Sequence, residues 1–454
     1  MIVGRMKAAL ALVMVTCGVA IAAPATLAAA GPQDASLLLS SPHSFQVFQR
    51  GADGRGDILI AGRAAGLGND LEVRWGDEPW VVDGAAVRVS LVCFSRNERA
   101  AEVRLDGRPA ERVNADLTAQ DSDLTTARHI DENQHKAFIG TQKNGNFDIP
   151  GELARKWLAM PLNPNGRPNS DVLRPWANGS DITRQASGRW IIDFGVSMTE
   201  ESAALYEAPF AYSIRSILNE RQGKREERAS EKWWILQRSR PEMRTALDPF
   251  ERYIVTPRVA KHRIFVWLDK SVLPDTRLVV IARDDDTTFG ILHSRFHEIW
   301  SLRTCSWHGV GNDPTYNAES VFNTFPFPEG LTPNIPAANY ADNPRAQAIA
   351  AAAKRLDELR RNWLNPPDLV KIIPEVVPGF PDRILPVSAK AEAELKKRTL
   401  TNLYNQRPAW LDNAHRDLDQ AVAAAYGWPQ DISDDESLAR LLALNHARAQ
   451  SADA

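Results

Sequence analysis

The sequence predicts an α+β protein built in three successive parts, and three observations point there. An apolar, β-branched run lies between Val81 and Phe94. Short apolar stretches then alternate with Pro, Gly and Asn turns to about residue 330. Past residue 340 the apolar residues recur at helical spacing.

Taken in order, Val81–Val82–Asp83–Gly84 reads as a turn, and Ala85 to Phe94 as a strand. Its continuous apolarity suits a strand inside an α/β sheet. The preceding Leu71–Val82, with Trp75, Pro79 and Trp80, reads as extended and turn-like. Val103–Val113, interrupted by Asp106–Gly107, reads as a hairpin outside that sheet. Gly140 to Ile149 is a Gly/Asn loop ending in Phe147–Asp148–Ile149. Strands are expected at Trp190–Phe194, Ile254–Val255, Ile264–Leu268 and Leu278–Ala282, with a charged helical stretch from Tyr206 to Lys232. Helices follow at Ala346–Trp363, Ala389–Tyr404, Pro408–Tyr426 and Asp434–Arg448. Ser433 ahead of Asp434–Asp435–Glu436 is an N-cap signal followed by acidic residues that favour a helix start. No internal repeat is visible.

Composition narrows the class. With 24% charged and 44% hydrophobic residues in 454, the chain forms a core and is neither wholly disordered, collagen-like nor polytopic. A net charge of −3 rules out a generally basic coat, so any polyanion site is a local patch. Cys17, Cys93 and Cys305 are far apart and form no Cys-x-x-Cys pair, which argues against structural zinc and a disulfide framework.

Residues 1–69 differ from the rest, with eight charged residues and neither Trp nor Tyr. A basic start, the apolar run Ala8–Ala23 and small residues at Ala28–Ala30 resemble a secretory signal. The alternative is low-complexity sequence from a misplaced start or a shifted reading frame. Gly62, Gly66 and Gly68 follow an apolar stretch but do not open a helix, so they read as a loop without a phosphate role.

Basic residues concentrate between Arg215 and Arg263, thirteen Lys/Arg against seven Asp/Glu. Lys232, beside Trp233 and Trp234, and the cluster Arg258, Lys261, His262 and Arg263 are candidates to engage phosphates. The blander reading is a solvated face carrying salt bridges. His293 and His297, four apart in an expected helix Gly290–Arg303, look like two metal ligands but have no third, and read as packing or polar contacts. The loop Trp307–Tyr316 is rich in hydrogen-bonding groups. Asn365–Pro366–Pro367–Asp368 lacks the aromatic that amino-methyltransferases stack on a flipped base, and reads as a helix stop.

Several segments together carry a resemblance. They are Trp75–Val87, Gly140–Lys143, Asn169–Trp176, Trp190–Gly195, Tyr253–Val259, Thr288–Ser294, Phe322–Pro328 and Tyr426–Pro429. From about residue 70 onward the chain resembles the MmeI-like enzymes, fused DNA adenine methyltransferase/restriction proteins. In that family a nuclease region, a helical connector and a methyltransferase domain precede a target recognition domain and a C-terminal helical domain.

The resemblance implies residues 70–150 as the remnant of an α/β methyltransferase sheet, 151–335 as a mixed α+β target recognition domain and 336–454 as a C-terminal helical domain. Residues 1–69 stand where a methyltransferase core should be and do not resemble it, which favours a truncated or frame-disrupted gene and a cytoplasmic product over export. The family uses S-adenosylmethionine. Its glycine loop, the Asn-Pro-Pro-aromatic motif and the nuclease site are not found here, so no catalytic, cofactor or metal residue is expected and the chain alone is expected to bind no cofactor. Its expected partner is double-stranded DNA and not a membrane, and a separately encoded methyltransferase half is the second reading. Carried onto this sequence, the family's base-choosing loop falls on Gly311, Asn312 and Asp313, alongside the DNA-binding candidates Lys232, Arg258, Lys261 and Arg263.

Overall fold

A computed structural model describes residues 122–218, 221, 232–307 and 313–450 in full, and the backbone of His308, of residues 451–452 and of strands between Met14 and Pro109. Two compact units appear. One comprises Met1–Arg128, Arg303–Thr315 and Leu438–His446, the other His129–Leu302, Tyr316–Ser437 and Ala447–Ala454. The glycines at 62, 66 and 68 and most of the signal-like segment lie outside the described residues.

The first unit holds a seven-stranded sheet whose order is Gly56–Ala61, Ser44–Arg50, Ala35–Ser41, Ala85–Ser95, Leu71–Val82, Arg104–Leu105 and Arg108–Pro109. The α+β class holds, but three details differ from expectation. Ala85–Ser95 has antiparallel neighbours on both sides, not the parallel ones of an α/β sheet. Leu71–Val82 is a full strand, paired from Leu71↔Phe94 to Val82↔Ala85. The two residues left between the strands are Asp-Gly, the pair that best closes a hairpin. The small hairpin after Val103 is present, with Arg104↔Pro109 in register, but it lies inside the same sheet and not outside it, because Leu105 pairs with Arg74.

The second unit begins before residue 150. Its strands are β1 (Ala137–Ile139), β2 (Asp148–Ile149), β3 (Leu173–Ala177), β4 (Trp190–Ile192), β5 (Arg252–Pro257), β6 (Val266–Asp269), β7 (Leu273–Pro274) and β8 (Leu278–Ile281). They form two four-stranded sheets, ordered β1-β8-β5-β6 and β2-β4-β3-β7. β1 and β2 precede residue 150 and complete sheets whose other strands lie beyond it. In the first sheet every pairing is antiparallel, with Ile254↔Ile281 and Val255↔Val280 in register. Both faces of β8 are covered, which is why Leu278–Ile281 is uninterrupted Leu, Val and Ile.

Helices pack beside these sheets. Asp285 caps α1 (Asp286–His293) by accepting from Thr288 N at 2.7 Å. Ser294 ends it, and α2 (Arg295–Thr304) follows, so the expected single helix Gly290–Arg303 is two. The long α3 (Pro344–Leu364) stops at Asn365 before the two prolines, as the Asn-Pro-Pro-Asp reading expects. A hairpin that the sequence reading missed comes next, β9 (Val370–Ile373) with β10 (Arg383–Pro386). Expected as one helix, Ala389–Tyr404 is two, α4 (Ala389–Leu395) and α5 (Leu400–Gln406), because Thr399 starts a new cap on Asn402 N. They are followed by α6 (Ala409–Tyr426) and α7 (Asp434–Ala452), and Ser433 Oγ accepts from Glu436 N at 3.2 Å as its cap signal requires. Among the described residues no helix is long and apolar enough to cross a membrane.

The approach of α1 to α3 and α6 depends on Gly290. A Cβ built there meets Ile349 Cγ2 at 2.6 Å, Ala353 Cβ at 3.0 Å and Leu418 Cδ1 at 3.1 Å. Gly290→Ala gains up to about 1 kcal/mol of helix propensity and loses about 1–3 kcal/mol to overpacking. The net expectation is a less stable protein, read as a lower urea midpoint, and an unchanged midpoint would show that the helices separate freely.

Candidate nucleic-acid interface

The basic segment resolves into interior and surface arginines. Arg221 is 1% exposed, and its guanidinium donates to the backbone oxygens of Lys143, Asn144, Trp233 and Ile235. It also lies 4.8 Å over the Phe147 ring. This anchors the turn that carries Lys232, whose own side chain is exposed. Trp233 and Trp234, expected beside Lys232 as aromatics near a nucleic acid, are instead core. Trp233 Nε1 donates to Glu200 Oε1 at 3.0 Å and Trp234 Nε1 to Met198 O at 2.9 Å.

The 258–263 cluster divides in the same way. Strand β5 ends at Pro257, and Arg258 N donates to Arg277 O at 2.8 Å while its side chain stays exposed. Lys261 is also exposed, and its Nζ donates to Asn405 Oδ1 at 2.7 Å. Arg263 is a correction. It is 5% exposed, donates from Nε to Ser301 Oγ at 3.1 Å and stacks 5.3 Å over Tyr316, so its charge serves the core and does not reach a phosphate. The chain turns inward there because Ile264 and Phe265 follow.

Two arginines that sequence reasoning passed over stand with Arg258. Arg238 exchanges both backbone hydrogen bonds with Gln142, at 3.0 and 3.1 Å. Two residues on, Arg240 adopts φ 56°, ψ 63° as the residue before helix Pro241–Leu247. A left-handed arginine costs about 1–2 kcal/mol and persists only where its surroundings hold it. Here its Nε donates to Gly140 O at 3.1 Å. Burial, then the positive charges of Arg238 and Arg258, hold the Arg240 guanidinium below its usual proton affinity. Among the described residues no carboxylate lies within ion-pair distance of these three side chains. Three guanidinium groups sharing one field without a counter-ion attract an anion, and the planar fork suits phosphate. The signal in the sequence was the alternation Arg238-Ser-Arg240 just before a helix-starting proline.

The fold is similar to that of MmeI, a type IIL restriction-modification enzyme solved in complex with DNA. The TM-score is 0.58 and the identity 17%, over 84% of this chain and 46% of that one. The chain thus spans a little under half the length of that enzyme. The type IIG restriction endonuclease BpuSI also matches, at TM-score 0.26 and 12% identity over 80% of this chain and 44% of that one, a score too low to carry an argument. No family model and no curated protein matches. What is shared at this identity is the fold.

The other site candidates fall into place against it. Gly311 and Asn312 lie outside the described residues. Asp313 pairs with His308 in a two-residue strand, and its side chain is half-buried. His293 and His297 sit on different helices, and each ring nitrogen has a partner within the protein. His297 Nδ1 faces Leu292 O at 2.9 Å and must donate, so Nε2 accepts from the Tyr316 hydroxyl at 3.0 Å. His293 Nδ1 faces Phe289 O at 3.0 Å, leaving Nε2 to accept from Phe265 N and Arg360 Nη1. Both rings are held neutral, mainly by burial, and His297 is pushed down to about 3. Among the described residues no group of three His, Cys, Asp or Glu could hold a metal.

Because the unfolded chain protonates His297 near the ordinary 6.5 and the folded chain only near 3, its contribution to stability is whole above 6.5. It is lost as pH falls toward 3, since the unfolded state then binds the extra proton. Comparing the wild type with His297→Gln cancels the other titrating groups. On acidification from about pH 7 to about pH 5, the stability advantage of the wild type should shrink by up to about 1.4 kcal/mol per pH unit. Urea titrations at the two pH values test this, and a constant difference would contradict a buried neutral ring.

Proposed function

We propose that this chain is the DNA-binding, target-recognition part of a site-specific adenine methyltransferase of restriction-modification type. The observation that carries the reading is the counter-ion-free trio Arg238, Arg240 and Arg258 on a fold similar to that of an enzyme solved on DNA. Exposed Lys232 and Lys261 add phosphate contacts to it. In this reading the trio grips the backbone and fixes register, while base edges are chosen by the loop Gly311, Asn312 and Asp313. Asp accepts from the cytosine amine and Asn pairs with adenine in the major groove. S-adenosylmethionine and methyl transfer belong to a methyltransferase half that this chain's residues do not supply. Asn365 closes a helix, and no aromatic follows its prolines to stack on a flipped base. A second reading is a specificity subunit working with a separately encoded methyltransferase chain. Either reading places the protein in the cytoplasm with its DNA.

The binding test is electrostatic. Duplex affinity of the purified chain should fall steeply with salt, and Arg238→Ala with Arg258→Ala should flatten the log–log slope by roughly 0.9 for each phosphate no longer neutralised. Arg263→Met should leave the slope alone and lower the urea midpoint. A double variant with the wild-type slope would return the trio to a structural role.

The recognition test concerns Asp313. Selection of bound duplexes from a randomised pool should show Asp313→Arg changing preference at one position, by about 1–3 kcal/mol of discrimination. Uniform weakening across all sequences would assign the residue to the fold. The same preparation, given labelled S-adenosylmethionine and DNA, should transfer no methyl group, and robust transfer would overturn the division of labour.

A further inference from the structure

Strand β6 is the open edge of its sheet, and its register shows which main-chain groups point outward. Lys270 N donates to Glu251 O at 3.0 Å, one step beyond the pair Arg252↔Asp269. In an antiparallel ladder the bonded pairs alternate. Tyr253 with Leu268 and Val255 with Val266 therefore exchange bonds, and Phe265, Trp267 and Asp269 turn their N–H and C=O to the edge. The outward groups of Phe265 are taken by His293 Nε2 and Arg360 Nη2, and Asp269 O accepts from Val272 N. At Trp267 this cover stops.

The same reasoning applies to the hairpin. Val387 N donates to Leu369 O at 3.0 Å, so Lys371 with Leu385 and Ile373 with Arg383 are the bonded pairs. Ile384 then turns its N–H and C=O away from β9. Trp267 and Leu268 of β6 and Ile384 and Leu385 of β10 line one cleft of about 930 Å³. The charges lining it nearly balance, seven Lys/Arg against six Asp/Glu, and most are paired within the protein: Arg155 and Arg383 share Glu375, Arg360 and Arg361 share Asp357, and Lys396 pairs with Glu392. Ile384 remains 47% exposed. A cleft with two strand edges, little net field and an uncovered aliphatic side chain does not suit a polyphosphate. It suits an extended main chain with apolar side chains at alternate positions.

We propose that this cleft docks an extended, largely uncharged segment of a partner polypeptide, which adds a strand between β6 and β10. The main-chain groups of Trp267 and Ile384 would bond it from either side, and Ile384 would meet its apolar residues. Strand addition of this kind draws affinity from the backbone and specificity from alternate side chains.

A phage-displayed library of random linear peptides, panned on the full chain, tests the proposal. Peptides with apolar residues at alternate positions should enrich. Ile384→Pro removes an outward donor without touching the hairpin's own bonds, and should weaken an enriched peptide by about tenfold or more. Ile384→Val should bind it normally. As a check independent of the variant's folding, the same peptide N-methylated at alternate amides should lose binding to the wild-type chain. The proposal is overturned by failure of any linear peptide to enrich, by equal binding of Ile384→Pro or of the N-methylated peptide, or by competitive displacement of the peptide with a DNA duplex, which would give the cleft to nucleic acid.

Discussion

One buried guanidinium, that of Arg360, ties the strands of the second unit to its helices. It is 1% exposed and belongs to α3, yet it donates to Phe265 O at 2.9 Å, His293 Nε2 at 2.7 Å and the Tyr404 hydroxyl at 3.3 Å. Its carboxylate partner is Asp357, one turn back on the same helix at 3.4 Å. Stripping water from such a charge costs several kcal/mol, and only well-placed acceptors offset it. The sheet edge, α1 and α5 are therefore held in one arrangement, because any of them moving away strands the charge. Neutral His293 follows from the same constraint, since an acceptor nitrogen is what the arginine requires there. The network continues outward through Tyr404 to His415 Nε2 at 3.0 Å.

This solution recurs. Arg221 collects main-chain oxygens beneath the Lys232 turn, and Arg283 collects Pro333 O and Ile335 O beside Asp285. An arginine spreads five donors in a fixed plane, so one side chain can satisfy several loop carbonyls that would otherwise be buried unpaired. The consequence for electrostatics is direct. A basic count along the sequence includes charges that never meet solvent, and the charges left exposed are those at strand ends and turns.

That division explains what could be read from sequence. Periodicity and caps located most helices past residue 340, because Ser433 and the prolines after Asn365 act on their immediate neighbours. The cap at Thr399 is a signal of the same local kind, and it divides Ala389–Tyr404 where periodicity alone runs on. The β9–β10 hairpin was missed because prolines flank strands of only four residues whose side chains face solvent more than core. Of the phosphate candidates, Arg258 and Lys261 are exposed and Arg263 is not, a distinction set by the turn into Ile264–Phe265 and by no feature of the arginine itself. Arg238 and Arg240 were hidden for the opposite reason. Their proximity to Arg258 comes from the bridge to Gln142 and from a left-handed backbone, and the Arg-Ser-Arg alternation before Pro241 marks the two residues without giving either.

The net charge gives the arrangement its direction. In a chain with an overall charge of −3, the arginines Arg238, Arg240 and Arg258 form a local positive field toward which an anion is drawn. Phosphate contacts carry no sequence information, but they set the register in which base-reading groups are presented. A grip of this kind sets a register only if its own side chains keep a fixed geometry. Here Arg238 is held by its two bonds to Gln142, Arg240 by its bond to Gly140 O, and Arg258 by the bond of its N to Arg277 O. Stability in the interior and attraction at the surface thus draw on the same residue type, and what separates the two roles is whether a main-chain carbonyl or a solvent-facing turn lies within reach of the guanidinium.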